Sequence, residues 1–368
     1  MKTPAIPDRF SGELSAVTND RHELYDEKSR FNRSFLSRRS LLKNLSFAML
    51  GLSLSASLGS HAGASQSSVS DLLLAQRRTL RVGYQKSGSF NLLRHRGNFE
   101  KRLKALGVAV TWSEFTSGPP LLEALAAGSI DLGQTGDAPP VFAQAKGDGI
   151  VYIGQSDKSP DSVGILVPQN SSIRSIAQLK GKKVAFAKGS SAHYFIVRAL
   201  ATAKLSLKDV TPVYLQPPDA RAAFERGAID AWAIWDPFFA AAERDAKARL
   251  LINGKGLTPF REFYLADRKF ANNNPDLIPV IIQELRALGN WAIANRQKSA
   301  EFLADKTKIN VDILEVSERR RVGRYRTSNI TAEAIAEQQQ IADTFLAAGL
   351  IPKKIKVSDA VWRPRSQR

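Results

Sequence analysis

A two-lobed α/β fold with a cleft between the lobes is what this sequence predicts, on three observations. Apolar runs of strand length are repeatedly followed by a polar turn containing glycine and then by a stretch of helical period. The helix–glycine–strand unit within residues 116–140 returns about a hundred residues later over 220–237, with Gly227 where Gly128 stood and Ile229-Asp230 where Ile130-Asp131 stood. Any helix–glycine–strand unit converges on part of this pattern, so coincidence stays open beside the reading of two units of one design. The length of 368 residues leaves roughly 300 after a leader, enough for two lobes of ordinary domain size.

Residues 1–30 are polar, mixed in charge and without apolar periodicity, so no packed structure is expected there. Ser37-Arg38-Arg39-Ser40-Leu41-Leu42-Lys43 then opens an apolar run of about fifteen residues, and Ala62-Gly63-Ala64 has the small-x-small form of a cleavage site. The pattern predicts an export leader over 1–64, cleaved near Ala64, with paired arginines pointing to the twin-arginine route. The run is short and serine-rich for a bilayer span; a membrane anchor or a buried helix is the rival reading. Cysteine is absent, which excludes disulfides, thiolate catalysis and lipidation at cysteine. A soluble periplasmic protein fits these features best.

The formal charge of +18 favours anionic partners, nucleic acid first among them. No zinc spacing, RNA-binding signature or recognition-helix pattern accompanies it. Lysines and arginines are scattered at helix-surface spacing, apart from Arg319-Arg320-Arg321, Arg324 and Arg326 and a basic tail after Trp362, so the charge reads as a solvated surface.

Taken in order, 79–84 alternates as the first strand and runs into the polar turn 85–90, with a helix starting in 91–94. The fixed spacing of a phosphate-binding P-loop is missing from that turn. A helix over 99–106 ends at Gly107, and 108–115 is the second strand. Ser117-Gly118-Pro119-Pro120 opens a helix that Gly128 stops; strand 129–133 follows, then the polar turn Gln134-Thr135-Gly136-Asp137 and a helix after Pro139-Pro140. Such turns, between a strand's carboxyl end and a helix's amino end, are where open α/β sheets bind ligands, with free N–H groups favouring an anion. Strands at 150–155 and 162–168 flank a loop, and 163–167 is expected to make the first crossing between lobes. A short helix at 175–179 and strand 184–187 precede Lys188-Gly189-Ser190-Ser191-Ala192-His193, the second counterpart of the 85–90 turn. Ser190 and Ser191 can cap the helix from Ala192 or donate to a ligand oxygen. His193 lacks neighbours for a metal site and reads as a hydrogen-bond donor or a surface residue. Strand 210–215, the echo helix and strand 230–236 follow, with Trp232 directed to the core and Trp235 at the strand's end, where its indole can flank an apolar ligand part. Strand 263–266 returns to the first lobe. Helices at 277–295, 300–306, 313–316 and 331–347 carry no convergent polar set and read as packing. The lobes are therefore expected at 65–164 with 262–368, and at 165–261.

Val82-Gly83-Tyr84-Gln85-Lys86, residues 118–144, 188–193 and 218–237, with Pro352-Lys353-Lys354 and Val361-Trp362 near the end, resemble the periplasmic aliphatic sulfonate-binding proteins of ABC importers. The resemblance runs from about Leu80 to Trp362; nitrate-, taurine- and aromatic sulfonate-binding relatives share part of the pattern. It implies a type II periplasmic binding protein fold, hinged around a central cleft, a sulfonate ligand, an inner-membrane permease as partner, a monomer, no cofactor and no catalysis. Carried over by position, the ligand contacts are Gln85, Ser87 and Gly88; Thr116, Gly118 and Pro119; Gly136 and Asp137; Ser190, Ser191 and His193; and Asp219, Trp235 and Asp236. Ser87-Gly88-Ser89-Phe90 departs from the family's turn, so Phe90 is expected to narrow the cleft or stack on a larger tail. A sulfonate is ionised throughout the physiological range and only accepts hydrogen bonds. Amides, hydroxyls and dipoles are expected to hold it without a buried lysine or arginine, whose desolvation is costly. Asp137 and Asp236 are expected to cap helices, orient donors or meet a polar tail. The alternatives are a receptor for taurine, nitrate or another oxyanion, and an enzyme on the same fold like the pyrimidine synthases of thiamin metabolism, against which the missing cysteines argue.

Overall fold

The computed structural model describes residues 78–147 and 149–364; the expected leader and its cleavage point fall outside them. From β1 (Arg78–Gln85) the chain runs through α1 (Ser89–Arg96), α2 (Asn98–Lys104), β2 (Val108–Phe115), α3 (Gly118–Ala126), β3 (Leu132–Gly136), α4 (Ala138–Lys146) and β4 (Ile150–Ser156). A second series holds β5 (Val163–Val167), β6 (Lys183–Phe186), α5 (Ser191–Thr202), β7 (Thr211–Tyr214), α6 (Pro217–Glu225), β8 (Ala231–Trp235), α7 (Phe238–Asp245) and β9 (Arg249–Asn253). The chain then returns through β10 (Glu262–Asp267), α8 (Arg268–Asn273), α9 (Leu277–Ala294), α10 (Arg296–Thr307), α11 (Val311–Arg320), β11 (Thr327–Ser328) and α12 (Ala332–Ala347).

The strands form two sheets, ordered β11-β4-β10-β3-β1-β2 and β7-β6-β8-β5-β9. In each, a parallel trio is flanked by an antiparallel fourth strand: β10 beside β3, and β5 beside β8. The echo in the sequence is thus an echo in topology. The two aspartates of the echo also do the same work. Asp131 Oδ2 accepts the Arg81 N–H at 2.8 Å, and Asp230 Oδ2 accepts the Lys183 N–H at 2.8 Å, each tying a helix-to-strand turn to the neighbouring strand. Gly128 and Gly227 sit at φ +70° and +67°, the left-handed stop that closes α3 and α6.

One apolar face of the first sheet packs Phe90, Phe99, Ile281 and Leu303, and the other packs Leu121, Val141, Ile341 and Phe345; the second sheet has its own core around Phe195, Phe224 and Trp232. Three local expectations are corrected. The third strand runs over Leu132–Gly136 instead of 129–133, because β10 pairs with it as far as Glu262–Gly136 and draws Gln134 and Thr135 out of the expected turn. Phe90 is fully buried and stacks on Tyr264 with ring centroids 5.7 Å apart, so it fills the core and does not narrow a cleft. Helix α11 is ten residues long where only 313–316 was expected, and α7, α8 and β9 lie where no element was expected. Among the described residues, no helix is long and apolar enough to cross a membrane.

Candidate functional site

The carboxyl ends of the parallel strands in both sheets meet at one small cavity, with about 320 Å³ of empty space partly continuous with solvent. From the first sheet's side it is lined by Gln85 and Ser87 after β1, Gly118 at the start of α3, Gln134 and Gly136 from β3, and Pro139 in α4. Ser190 and Ser191 at the start of α5, and Trp235 at the end of β8, face them. Phe260, from the returning connection, and Arg324, from the 3-10 turn Val322–Tyr325, complete the wall.

Several lining groups are held by local devices. Gly88 has φ +94°, and a side chain there would collide with the Gln134 amide, so the β1–α1 turn is glycine-dependent. Gln85 Nε2 donates to the Gln134 carbonyl at 2.9 Å. Ser190 accepts the His193 N–H at 3.3 Å as the cap of α5, which leaves its hydroxyl proton free to donate into the cavity. Ser191 Oγ lies 3.4 Å from the Ala138 amide across the gap, close enough that any side chain at Gly136 would strike it.

Arg324 is the unexpected member. It is only 4% exposed, and Arg321 in the same cluster only 2%, so this part of the basic run is interior and not the solvated surface expected. A carboxylate from β10 makes that burial tolerable: Glu262 Oε1 lies 3.3 Å from Arg324 Nε, and Glu262 Oε2 accepts from the Ser89 N–H at 3.1 Å and hydroxyl at 2.9 Å. The guanidinium also stands over the Phe260 ring, 4.5 Å from its centroid. Among the described residues its two terminal nitrogens have no hydrogen-bond partner, and the group lines the cavity. Burial pulls the Arg324 pKa down from its ordinary value, with Glu262 opposing; a guanidinium stays charged regardless. The expectation of a site without buried arginine is therefore corrected: the cavity wall holds one, brought by a turn between the C-terminal helices. Pro139, Phe260 and Arg324 were missed, and Gln134, though placed in a candidate turn, was not among the expected contacts; the only signal for Arg324 was a cluster of arginines beginning one residue after Glu318.

Of the other expected residues, Thr116 sits at the rim, where its hydroxyl lies 3.3 Å from Gln216 Oε1 of the opposite side. Pro119 lines a separate groove between α3 and α4, and Asp219 is exposed on α6. Asp137 is buried behind Gly136, its Oδ2 3.3 Å from the Thr258 hydroxyl; burial raises its pKa while Ser191, Arg324 and Thr258 oppose. Asp236 Oδ1 caps α7 by accepting the Ala240 N–H at 3.0 Å, and burial pushes its carboxyl up to about 6 against the pull of Arg320 and Arg321.

His193 is 0% exposed and does not line the cavity. Its Nδ1 accepts the Gly189 N–H at 3.1 Å, and its ring lies between Phe186 and Phe142, at 4.9 and 6.1 Å. Burial lowers its pKa to about 4, so it is neutral with the proton on Nε2. The unfolded chain takes up a proton below about 6.5, and the folded chain only near 4; the stability this gives is complete above 6.5 and lost as pH falls to 4, roughly 3 kcal/mol in all. Urea unfolding between pH 7 and 4 is expected to fall more steeply for the wild type than for His193→Phe. In that variant the orphaned Gly189 amide costs the same at every pH. Parallel slopes would contradict the buried neutral imidazole.

Two like α/β halves, with a cavity at their facing strand ends and a three-segment wall of amides, hydroxyls and one guanidinium, define the class: a protein of the periplasmic binding protein fold. Residues 103–299 match the NMT1/THI5-like family. The alkanesulfonate-binding protein SsuA of Xanthomonas axonopodis pv. citri, solved with MOPS, is 42% identical, covers 78% of this chain and 99% of its own, and superposes with a TM-score of 0.74. The periplasmic aliphatic sulphonate binding protein SsuA of Escherichia coli is 41% identical, covers 78% and 92%, and gives 0.70. The chain belongs to the NMT1/THI5-like family.

Proposed function

We propose that this protein is the solute receptor of an ABC importer, capturing aliphatic sulfonates in the cavity between its two halves and delivering them, unchanged, to an inner-membrane permease. The observation that carries the reading is Arg324: a buried guanidinium with unpaired terminal nitrogens on a wall that also offers Gln85, Ser87, Ser190 and Ser191. A sulfonate has three acceptor oxygens, a permanent charge and no donor, which suits that set. Trp235, Phe260 and Pro139 supply the apolar remainder for a carbon tail. In this reading the halves divide within 157–162 and 254–261, a few residues before the expected boundaries at 164 and 262 because β5 pairs with β8 from Val163 onward, and they close on the ligand. The leader over 1–64 directs export by the twin-arginine route, and the receptor works as a periplasmic monomer.

No carboxylate is among the lining residues, so a tail ammonium would lie near Arg324 without a counter-charge. Calorimetry on protein freed of solute by unfolding and refolding is expected to give ethanesulfonate at least about tenfold tighter binding than taurine, which has nearly the same size. Nitrate, with no tail, is expected to bind more weakly than either. Absence of binding by every sulfonate tested, or a preference for nitrate, would end the reading.

A further inference from the structure

We propose that Arg320 is a closure latch: a positioning residue that holds the second half against helix α11 and thereby sets ligand affinity without touching the ligand. The proposal rests on the receptor reading above and deepens it.

Arg320 ends α11, which belongs with the first sheet's C-terminal helices, and its side chain crosses to α7 of the second half. Nη2 lies 2.7 Å from Glu243 Oε2, Nη1 lies 3.3 Å from Asp236 Oδ1, and the guanidinium carbon stands 3.8 Å from the Phe239 ring centroid. Apolar contact continues along the same pair of helices, with Ile313 and Val316 packed on Ala240 and Ala241. Asp236 directly follows Trp235, a wall residue of the cavity, so the latch grips the second half one residue from the ligand space.

The same short stretch also governs the connection between the halves and the ligand contact. The Arg320 carbonyl accepts the Ser159 hydroxyl at 2.7 Å, and the Arg326 carbonyl accepts the Asp157 N–H at 3.1 Å, so both ends of the turn are fastened to the loop that joins β4 to β5. Between them Gly323 rests on the Lys158 carbonyl so closely that a side chain there would overlap it, and Arg324 enters the cavity. Seven consecutive residues thus reach the ligand site, the connecting loop and the far half. Rotation of the halves about 157–162 and 254–261 would draw α7 away from α11 and leave the Arg320 guanidinium without its two carboxylates. Apparent affinity scales with the fraction of closed molecules, so losing a contact made only in the closed form weakens binding by the factor by which it depopulates that form.

The test uses Glu243→Gln and Arg320→Gln in the full mature protein, with thermal melting to show that both fold. Ethanesulfonate affinity by calorimetry is expected to fall about tenfold in each, through a faster dissociation rate in stopped flow and an association rate within about twofold of wild type. A fluorescence-transfer dye pair, one dye in each half, is expected to show the unliganded variants more open than wild type, and all three equally closed at saturating sulfonate. A pair that merely supports the fold would lower the melting temperature and move neither affinity nor the dye distribution; that result would overturn the latch. Should wild type bind no sulfonate at all, the receptor reading fails, while the unliganded dye distributions still decide the latch, an unchanged distribution counting against it.

Discussion

Arg324→Met is expected to weaken sulfonate binding at least about a hundredfold, close to 3 kcal/mol. A charge-assisted hydrogen bond contributes about 1.5–3 kcal/mol, and the two terminal nitrogens of this guanidinium are free to offer more than one. The single variant also damages the fold, because Glu262, fully buried, would lose its cationic partner; breaking a buried pair in this way costs about 3–5 kcal/mol. Pairing Arg324→Met with Glu262→Gln separates the two effects. The glutamine carbonyl still accepts from the Ser89 amide and hydroxyl, and no charge is left uncompensated. The double variant is expected to regain most of the stability, read by urea unfolding, and none of the affinity, read by calorimetry. Binding within tenfold of wild type would show that the head group is held by amides and hydroxyls alone.

Gly289→Ala is the second large effect, and its sign is opposite to what the local sequence implies. Gly289 lies within α9, where replacing glycine by alanine ordinarily stabilises a helix by about 1 kcal/mol. Here a Cβ would overlap the backbone carbonyl of Tyr325, in the turn that carries Arg324. Backbone cannot rotate away as a side chain can, and Tyr325 is itself buried, so either the helix or the turn must shift. We expect destabilisation of about 3 kcal/mol in urea, with an unchanged m-value, and weaker sulfonate binding because the displaced turn takes Arg324 with it. A more stable variant would mean that the turn does not rest on the helix.

Much of the fold was legible because its signals are local. Strand Val108–Phe115 lies where alternation places it, Gly128 and Gly227 stop their helices where a left-handed residue is needed, and Ser190 caps α5 where a serine precedes a helical run. The glycine-containing turns pointed to most of the backbone around the cavity for the same reason: a turn's geometry is encoded in the turn. The side chains were less legible. His193 has the composition of a ligand donor, yet the rings of Phe142 and Phe186 enclose it, and Phe142 lies some fifty residues earlier in the chain. Gln134 reads as turn until β10 pairs with its strand.

By itself the sequence determined the alternation of strands and helices, the caps, the duplicated unit and the polar character of the turns, since each depends on neighbours within a few positions. Which charges would lie inside was decided only by the tertiary structure. Five arginines between 319 and 326 look alike along the chain, and what distinguishes Arg320 and Arg324 is the partner each meets: Asp236 and Glu243 for one, Glu262 and an open cavity for the other. A buried cation is tolerable only where a distant carboxylate is brought to it, and that encounter is a property of the folded chain.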